Sequence, residues 1–177
     1  MSRDNSAISS VAIREAGPDD AARLSLISNA TFLETFAGAI DGDALLAHCE
    51  DKHHPTYLAA LLEKGARAWL AEVDDAPIGY ALVNAPELDA ARPGDVELKK
   101  IYLLSRFHGS GAARELFAHA LAGAAGHERM LLGVKADNHR AIAFYTKQGF
   151  HQIATRRFDV GGTLYDDVVL ARDIERT

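Results

Sequence analysis

The chain predicts an α/β fold: one mixed, mostly antiparallel sheet of about seven strands, with a parallel crossover at its centre. Three observations carry this. A strand, a glycine turn and a helix follow one another from Glu97 to Leu116. A short, wholly apolar strand, Met130 to Val134, comes next, as in a buried parallel position, so the strand–helix–strand unit is a crossover expected to be right-handed. On either side lie strand-like runs joined by short polar turns. Arg67–Val73 with Pro77–Asn84, and Phe150–Val160 with Thr163–Leu170, read as antiparallel hairpins.

The remaining elements fall into place around these. Val11 to Glu15 alternates weakly and is the first strand. Pro18-Asp19-Asp20 opens a helix, with proline in the first turn and acids near its positive end. That helix carries Leu24 and Ile27 and runs to Phe36, and Gly38 breaks it. Two further helical pieces, Asp41–Cys49 and Thr56–Lys64, flank Pro55. Pro86 to Gly94 is a polar loop. From Ser110 the pattern turns helical, with Leu116, Phe117, Ala120, Leu121 and Ala124 on one stripe. After Val134, Asp137 or Asn138 caps a short helix with Ala141, Ile142, Phe144 and Tyr145 on its apolar face, and Gly149 ends it. A Gly161-Gly162 turn joins the last two strands.

Length and charge narrow the function. A chain of 177 residues suits one domain with a sizeable core. A net charge of −6 gives a nucleic-acid role no electrostatic support. Cys49 is the single cysteine, so no internal disulfide forms, which fits a reducing compartment. No apolar run approaches the ~18 residues of a membrane span. The first ten residues are polar and lack a signal-peptide segment. The expectation is a disordered leader over 1–10, one domain over 11–172, a tail over 173–177, and a cytoplasmic protein. The run His48-Cys49-Glu50-Asp51-Lys52-His53-His54 matches no standard zinc spacing and reads as a solvated helix end, so no metal is expected.

Phe107 to Gly111 is where chemistry enters. A strand, a glycine turn and a helix start gather free backbone N–H groups at one point. The helix macrodipole adds partial positive charge there, and such a point binds phosphate. A P-loop would need Lys-Ser or Lys-Thr after Gly111, and none follows. A dinucleotide fold would need a third glycine where Arg114 stands.

His108-Gly109-Ser110-Gly111-Ala112-Ala113 resembles the Gln/Arg-x-x-Gly-x-Gly/Ala signature of the GCN5-related N-acetyltransferases, the GNAT superfamily, with His in place of Gln or Arg. Arg106-x-x-Gly109-x-Gly111 fits formally in a second register. A second family signature, Asn-x-x-Ala-x-x-Phe-Tyr-x-x-x-Gly-Phe, is present in full from Asn138 to Phe150. The resemblance covers about residues 11 to 172 and is closest to the bacterial PaiA-like polyamine acetyltransferases, on Thr31-Phe-x-Glu-Thr-Phe36, Glu97 to Tyr102, Leu132-Gly-Val134 and Asn138 to Phe150.

The resemblance implies the GNAT fold, with helices on both faces of the sheet and the crossover from its fourth strand through its third helix to its fifth. It implies acetyl-CoA as co-substrate, with the pyrophosphate on the amides of Gly109 to Ala113 and His108 beside it. The pantetheine arm would lie beside Ile101, Tyr102 and Leu103. Asn138, Ala141, Phe144, Tyr145 and Lys147 complete the cofactor side. Tyr145 matches the family tyrosine beside the CoA sulfur and is the candidate general acid. Glu97 is the candidate general base, placed by period two on one face with Lys99, Ile101 and Leu103, and Glu34 is the runner-up.

A carboxylate is wanted because an alkyl amine of pKa near 10 is almost wholly protonated at pH 7. Phe32, Glu34, Phe36 and Glu97 are the expected acceptor-side residues, with Asp41 or Asp43 at the rim. These acids favour a cationic amine, so a polyamine is the expected acceptor. A protein N-terminus, an amino acid, or a non-catalytic acyl-CoA-binding role are the alternatives. No nucleic-acid or membrane partner is expected, and the protein is a monomer or homodimer.

Overall fold

The computed structural model describes residues 10–160 and 162–175. Seven strands form one sheet: β1 (Ala12–Ala16), β2 (Arg67–Val73), β3 (Ala76–Asn84), β4 (Asp95–Leu103), β5 (Arg129–Lys135), β6 (His151–Val160) and β7 (Thr163–Asp173). Their order is β1-β2-β3-β4-β5-β7-β6. Every neighbouring pair is antiparallel except β4–β5. Five helices surround the sheet: α1 (Ala21–Phe36), α2 (Gly42–Lys52), α3 (Pro55–Glu63), α4 (Ala112–Gly123) and α5 (His139–Lys147). The mixed sheet and its parallel β4–α4–β5 crossover are as the sequence predicts; a second crossover, β5–α5–β6, passes β7, which lies between its strands.

Each face has its own core. On the first, Leu116, Phe117 and Ala120 of α4 and Tyr145 of α5 pack on Trp69, Val96, Leu98, Met130 and Leu132. This is the apolar stripe read from the sequence, now buried. On the second face, Leu24 and Ile27 of α1 and Leu58 of α3 cover Leu70, Tyr80 and Leu82. A smaller aromatic cluster, Phe32, Phe36 and Val160, ties the end of α1 to α2 and the β6–β7 hairpin.

Boundaries shift at a few places. Pro18–Asp20 forms a 3-10 turn that runs into α1. The fourth strand begins at Asp95, two residues before Glu97. The last strand continues to Asp173, into the expected tail, because Asp173 pairs with Arg129. Ser10 has no regular structure, residues 1–9 of the expected leader lie outside the described residues, and so does Gly161 of the hairpin turn.

One register prediction is overturned. Period two places Glu97, Lys99, Ile101 and Leu103 on one face. The β3–β4 ladder instead jumps from Leu82↔Lys100 to Val83↔Leu98, so Lys99 is the extra residue of a bulge. Val96 and Leu98 before it, and Ile101 and Leu103 after it, all face the first core. Glu97, Lys100 and Tyr102 are turned to the second face.

Candidate active site

The site is opened by what the sheet does after the bulge. β4 and β5 pair at only three positions, Asp95↔Arg129, Val96↔Met130 and Glu97↔Leu131. Beyond them β4 stays bonded to β3, and β5 stays bonded to β7 through Lys135↔Asp167. The two strands therefore separate into a wedge toward their C-terminal ends. Its apex is held by an ion pair, with Arg129 Nη2 2.7 Å and Nε 3.1 Å from the two Asp95 oxygens. Burial alone would raise the Asp95 carboxyl, but the Arg129 and Arg92 donors hold it below its ordinary range.

At the mouth of the wedge lies the glycine turn. Gly109 and Gly111 have φ of +85° and +90°, left-handed values that favour glycine, and an added Cβ at either would meet open space. Among the described residues the amides of Gly109 and Gly111 donate to no protein group. The first amides of α4 follow them and have no partner four residues back. This is an anion cradle made of main chain, and it fits a pyrophosphate. Its base is tied down by Glu34, whose carboxylate accepts from the Ser105 amide and hydroxyl, both at 3.1 Å. His108 bridges the rest: Nε2–H donates to the Leu103 carbonyl at 3.0 Å, and Nδ1 accepts from Arg140 Nη1 at 2.7 Å. The two bonds together require the neutral Nε2–H tautomer.

The opposite lip is the start of α5. Asn138 is its N-cap, with Oδ1 accepting from the Ala141 amide at 3.1 Å. Ala141 and Phe144 pack on the first core, and Lys147 is exposed at the far end. Tyr145 is buried, its ring set edge-on to Phe144 and Phe150 at 5.4 and 5.6 Å. Burial pushes its phenol well above the usual tyrosine range, and Tyr102 across the wedge pushes it in the same direction. Its proton is therefore in place at neutral pH.

The second face of the wedge is polar. Glu97 is 5% exposed, and its Oε2 accepts from the Glu87 amide at 2.8 Å and from Lys99 Nζ at 3.1 Å. Lys100 lies opposite Cys49, His48 and His53, and burial pulls its ammonium down to about 8. Phe32 and Phe36 close this side with ring centroids 4.5 Å apart. His48 stacks on Phe32 and His53 meets it edge-on. His53 is buried with neither ring nitrogen hydrogen-bonded; burial first, then Lys100 and His48, lower it to about 3. His54 is an N-cap, its Nδ1 accepting from the Thr56 amide. The histidine-rich run thus divides between a helix cap and an aromatic cluster.

The 108–113 turn follows the end of β4 on one side of the wedge, Asn138 and Tyr145 of α5 follow β5 on the other, and Glu97, Phe32 and Phe36 lie on the second face. Glu34 supports the glycine turn from the outside, exposed at the end of α1. Asp41 caps α2. One residue was missed. Asp167 of β7 is 4% exposed on the second face, and among the described residues its Oδ1 has no hydrogen-bond partner. Its signal was faint but present: Asp167, Val169 and Ala171 share one period-two register, and both of the others are apolar.

Three kinds of comparison agree on relatives. The sequence model of the acetyltransferase (GNAT) family matches residues 34–150, more than half the chain. Uncharacterized N-acetyltransferases of Mycobacterium bovis and Mycobacterium tuberculosis are 35% identical over 158 residues, covering 88% of this chain and 98% of theirs. The PaiA N-acetyltransferase of Thermoplasma acidophilum, solved with coenzyme A, has the same fold. Its TM-score is 0.74 at 18% identity, covering 93% of this chain and 99% of that one. A ribosomal-protein-alanine N-acetyltransferase of Brucella melitensis aligns with a TM-score of 0.71 at 25% identity, covering 92% and 99%. A putative acetyltransferase of Salmonella typhimurium, solved with acetyl-CoA, aligns at 0.66 and 23% identity, covering 96% of each chain.

Proposed function

This chain belongs to the GNAT acetyltransferase family and is an N-acetyltransferase that uses acetyl-CoA, and on that premise we propose that it acetylates a primary amine of a small molecule by direct attack in a ternary complex. The observation that carries the reading is the pairing of the unpartnered Gly109 and Gly111 amides, beyond the end of β4, with a protonated, buried Tyr145 on α5, beyond the end of β5. The amides suit the pyrophosphate of acetyl-CoA. The end of β4, Ile101 to Leu103, offers an edge beside which an extended pantetheine can lie. Asn138, Ala141, Phe144 and Lys147 border the same opening from α5.

The chemistry divides between the two sides. Holding amine and thioester together supplies most of the acceleration. Tyr145 is the proposed acid, giving its proton to the departing CoA sulfur as the carbon–sulfur bond breaks. A carboxylate on the second face must take a proton from the acceptor, which arrives as an ammonium. Glu97, the base expected from the sequence, has two donors on Oε2, the Glu87 amide and Lys99 Nζ, and offers Oε1.

A polyamine acceptor belongs to this proposal through the sequence motifs. The charge argument for it changes hands: Glu34 is engaged with Ser105, and Asp167 is the buried carboxylate on that face with a free oxygen. A cytoplasmic setting is part of the same reading. It rests on the lone cysteine and on the absence, among the described residues, of a helix long and apolar enough to cross a membrane. The test is an acceptor panel of polyamines, amino acids, aminoglycosides and an N-terminal peptide with acetyl-CoA, read by release of free thiol. Spermidine turning over faster than the neutral and anionic amines supports the full reading. Binding of acetyl-CoA without turnover of any amine sinks it.

A further inference from the structure

Asp167 is placed by three strands at once. It is opposite Lys135 of β5 and opposite Arg156 of β6. Arg156 Nε lies 3.2 Å from Asp167 Oδ2. The guanidinium reaches the carboxylate by lying across β5 at Gly133, where an added Cβ would stand 2.6 Å from Arg156 Nη2. Glycine at 133 is thus what admits the arginine. The arrangement fixes Oδ2 and leaves Oδ1 bare, although a carboxylate can accept about four hydrogen bonds. A buried oxygen with no donor is costly and uncommon.

Its surroundings point it at the reaction. β5 and β7 form the wall of the wedge beyond the last β4–β5 pair, and Asp167 lies on that wall's second face, in register with Val169. The Tyr102 phenol on the β4 wall feels the Asp167 charge, and the Tyr145 phenol feels Tyr102. Tyr145, in the first core, and Asp167, on the second face of the β5–β7 wall, thus lie on opposite faces of the sheet beyond the last β4–β5 pair. Burial pushes the Asp167 carboxyl up; Arg156 and Lys135 oppose this, and Asp166 adds to it.

We propose that Asp167 is the group that takes the proton from the acceptor's ammonium, with Arg156 holding it in place. The claim rests on the amine-acetylation reading above. The ammonium gives one proton to Asp167. The freed nitrogen lone pair forms a C–N bond at the thioester carbonyl carbon. As the C–S bond breaks, sulfur takes the Tyr145 proton, and the second proton shed by nitrogen returns to the tyrosyl oxygen. Asp167 then loses its proton to solvent.

The experiment compares Asp167→Asn and Arg156→Gln with the parent enzyme, using the best acceptor from the panel. Asp167→Asn should lower kcat/KM for the acceptor about 100-fold. The acidic limb of its pH profile should vanish, while acetyl-CoA binding by calorimetry stays within about twofold. Arg156→Gln removes the cation that opposes the rise, so its acidic limb should move to higher pH; a purely structural role would scale the profile without moving it. Asp167→Glu should restore part of the rate. An Asn variant within about twofold of the parent, or an Arg156→Gln limb that does not move, would overturn the proposal. Should Asp167→Asn fail to fold, the Arg156→Gln profile decides alone. A parent enzyme that turns over no amine would sink the acceptor reading, and this proposal with it.

Discussion

The two faces of the sheet are built on different terms. On the first, α4 and α5 cover a continuous apolar surface from Trp69 to Phe150, and Phe117, Phe144, Tyr145 and Phe150 interlock edge to face. Tyr145 is the polar member of this cluster, and burial keeps its phenol protonated. On the second face, Glu97 pairs with Lys99, Asp167 pairs with Arg156, and Lys100 lies opposite His48 and the buried His53. On the proposed reading, the first face holds acetyl-CoA through main chain and packing, and the second takes the amine. The comparison teaches that substitutions on the first face should act on acetyl-CoA, and those on the second on proton transfer and acceptor choice.

Four expected outcomes sharpen or break that division. The largest concerns the glycine turn: Gly111→Asp adds a Cβ at φ +90° and a carboxylate where an anion must sit. Acetyl-CoA affinity should fall about 100-fold or more, and unchanged binding by calorimetry would remove the cradle from the first face's account. Tyr145→Phe keeps the edge-on ring contacts and removes the donor. Here kcat should drop about 10-fold or more with the KM for acetyl-CoA little changed, as for a group acting in the transition state. Equal turnover would make Tyr145 packing only.

The third outcome tests the second face through stability. His53 is held near 3 while an unfolded histidine titrates near 6.5. Between these values the unfolded chain binds the extra proton, so stability falls as pH drops through that window, by up to about 1.4 kcal/mol per pH unit. His53→Phe should flatten the acid limb of the unfolding curve, and an unaltered limb would place the acid sensitivity elsewhere. The smallest effect is expected from Glu34→Gln. Because Glu34 supports the loop, acetyl-CoA KM should rise about threefold with acceptor KM unmoved. The opposite split would return Glu34 to the acceptor side.

Most of the first face was legible in the sequence. Leu116, Phe117 and Ala120 repeat at helical period, Asn138 and Gly149 bracket α5, and the glycine turn announces itself between strand and helix. Such signals are local. The second face depends on events far apart in the chain. The bulge at Lys99 comes from how β3 meets β4, and no count of residues along β4 alone reveals it. Glu34 meets Ser105 across 71 positions. Asp167 is buried because β6 brings Arg156 over it and β5 has a glycine beneath, so its surroundings are written in three separate strands.

The seam between β4 and β5 has a consequence for how the chain can be divided. Across the sheet, β1 to β4 with α4 on them form one half, and β5, β7 and β6, in that order, form the other. Three register pairs, the Asp95–Arg129 staple and aromatic contacts of Phe117 with Phe144 and Phe150 and of Phe36 with Tyr165 join them, and the chain crosses once, through an exposed turn at Gly126 and His127. Cut at that turn, the chain would yield two polypeptides. The wedge would belong to neither, since the glycine turn lies on one and Tyr145 and Asp167 lie on the other. Acetyl transfer would then report the reunion of the pieces, which makes this fold a natural split reporter whose signal requires both parts to meet in register.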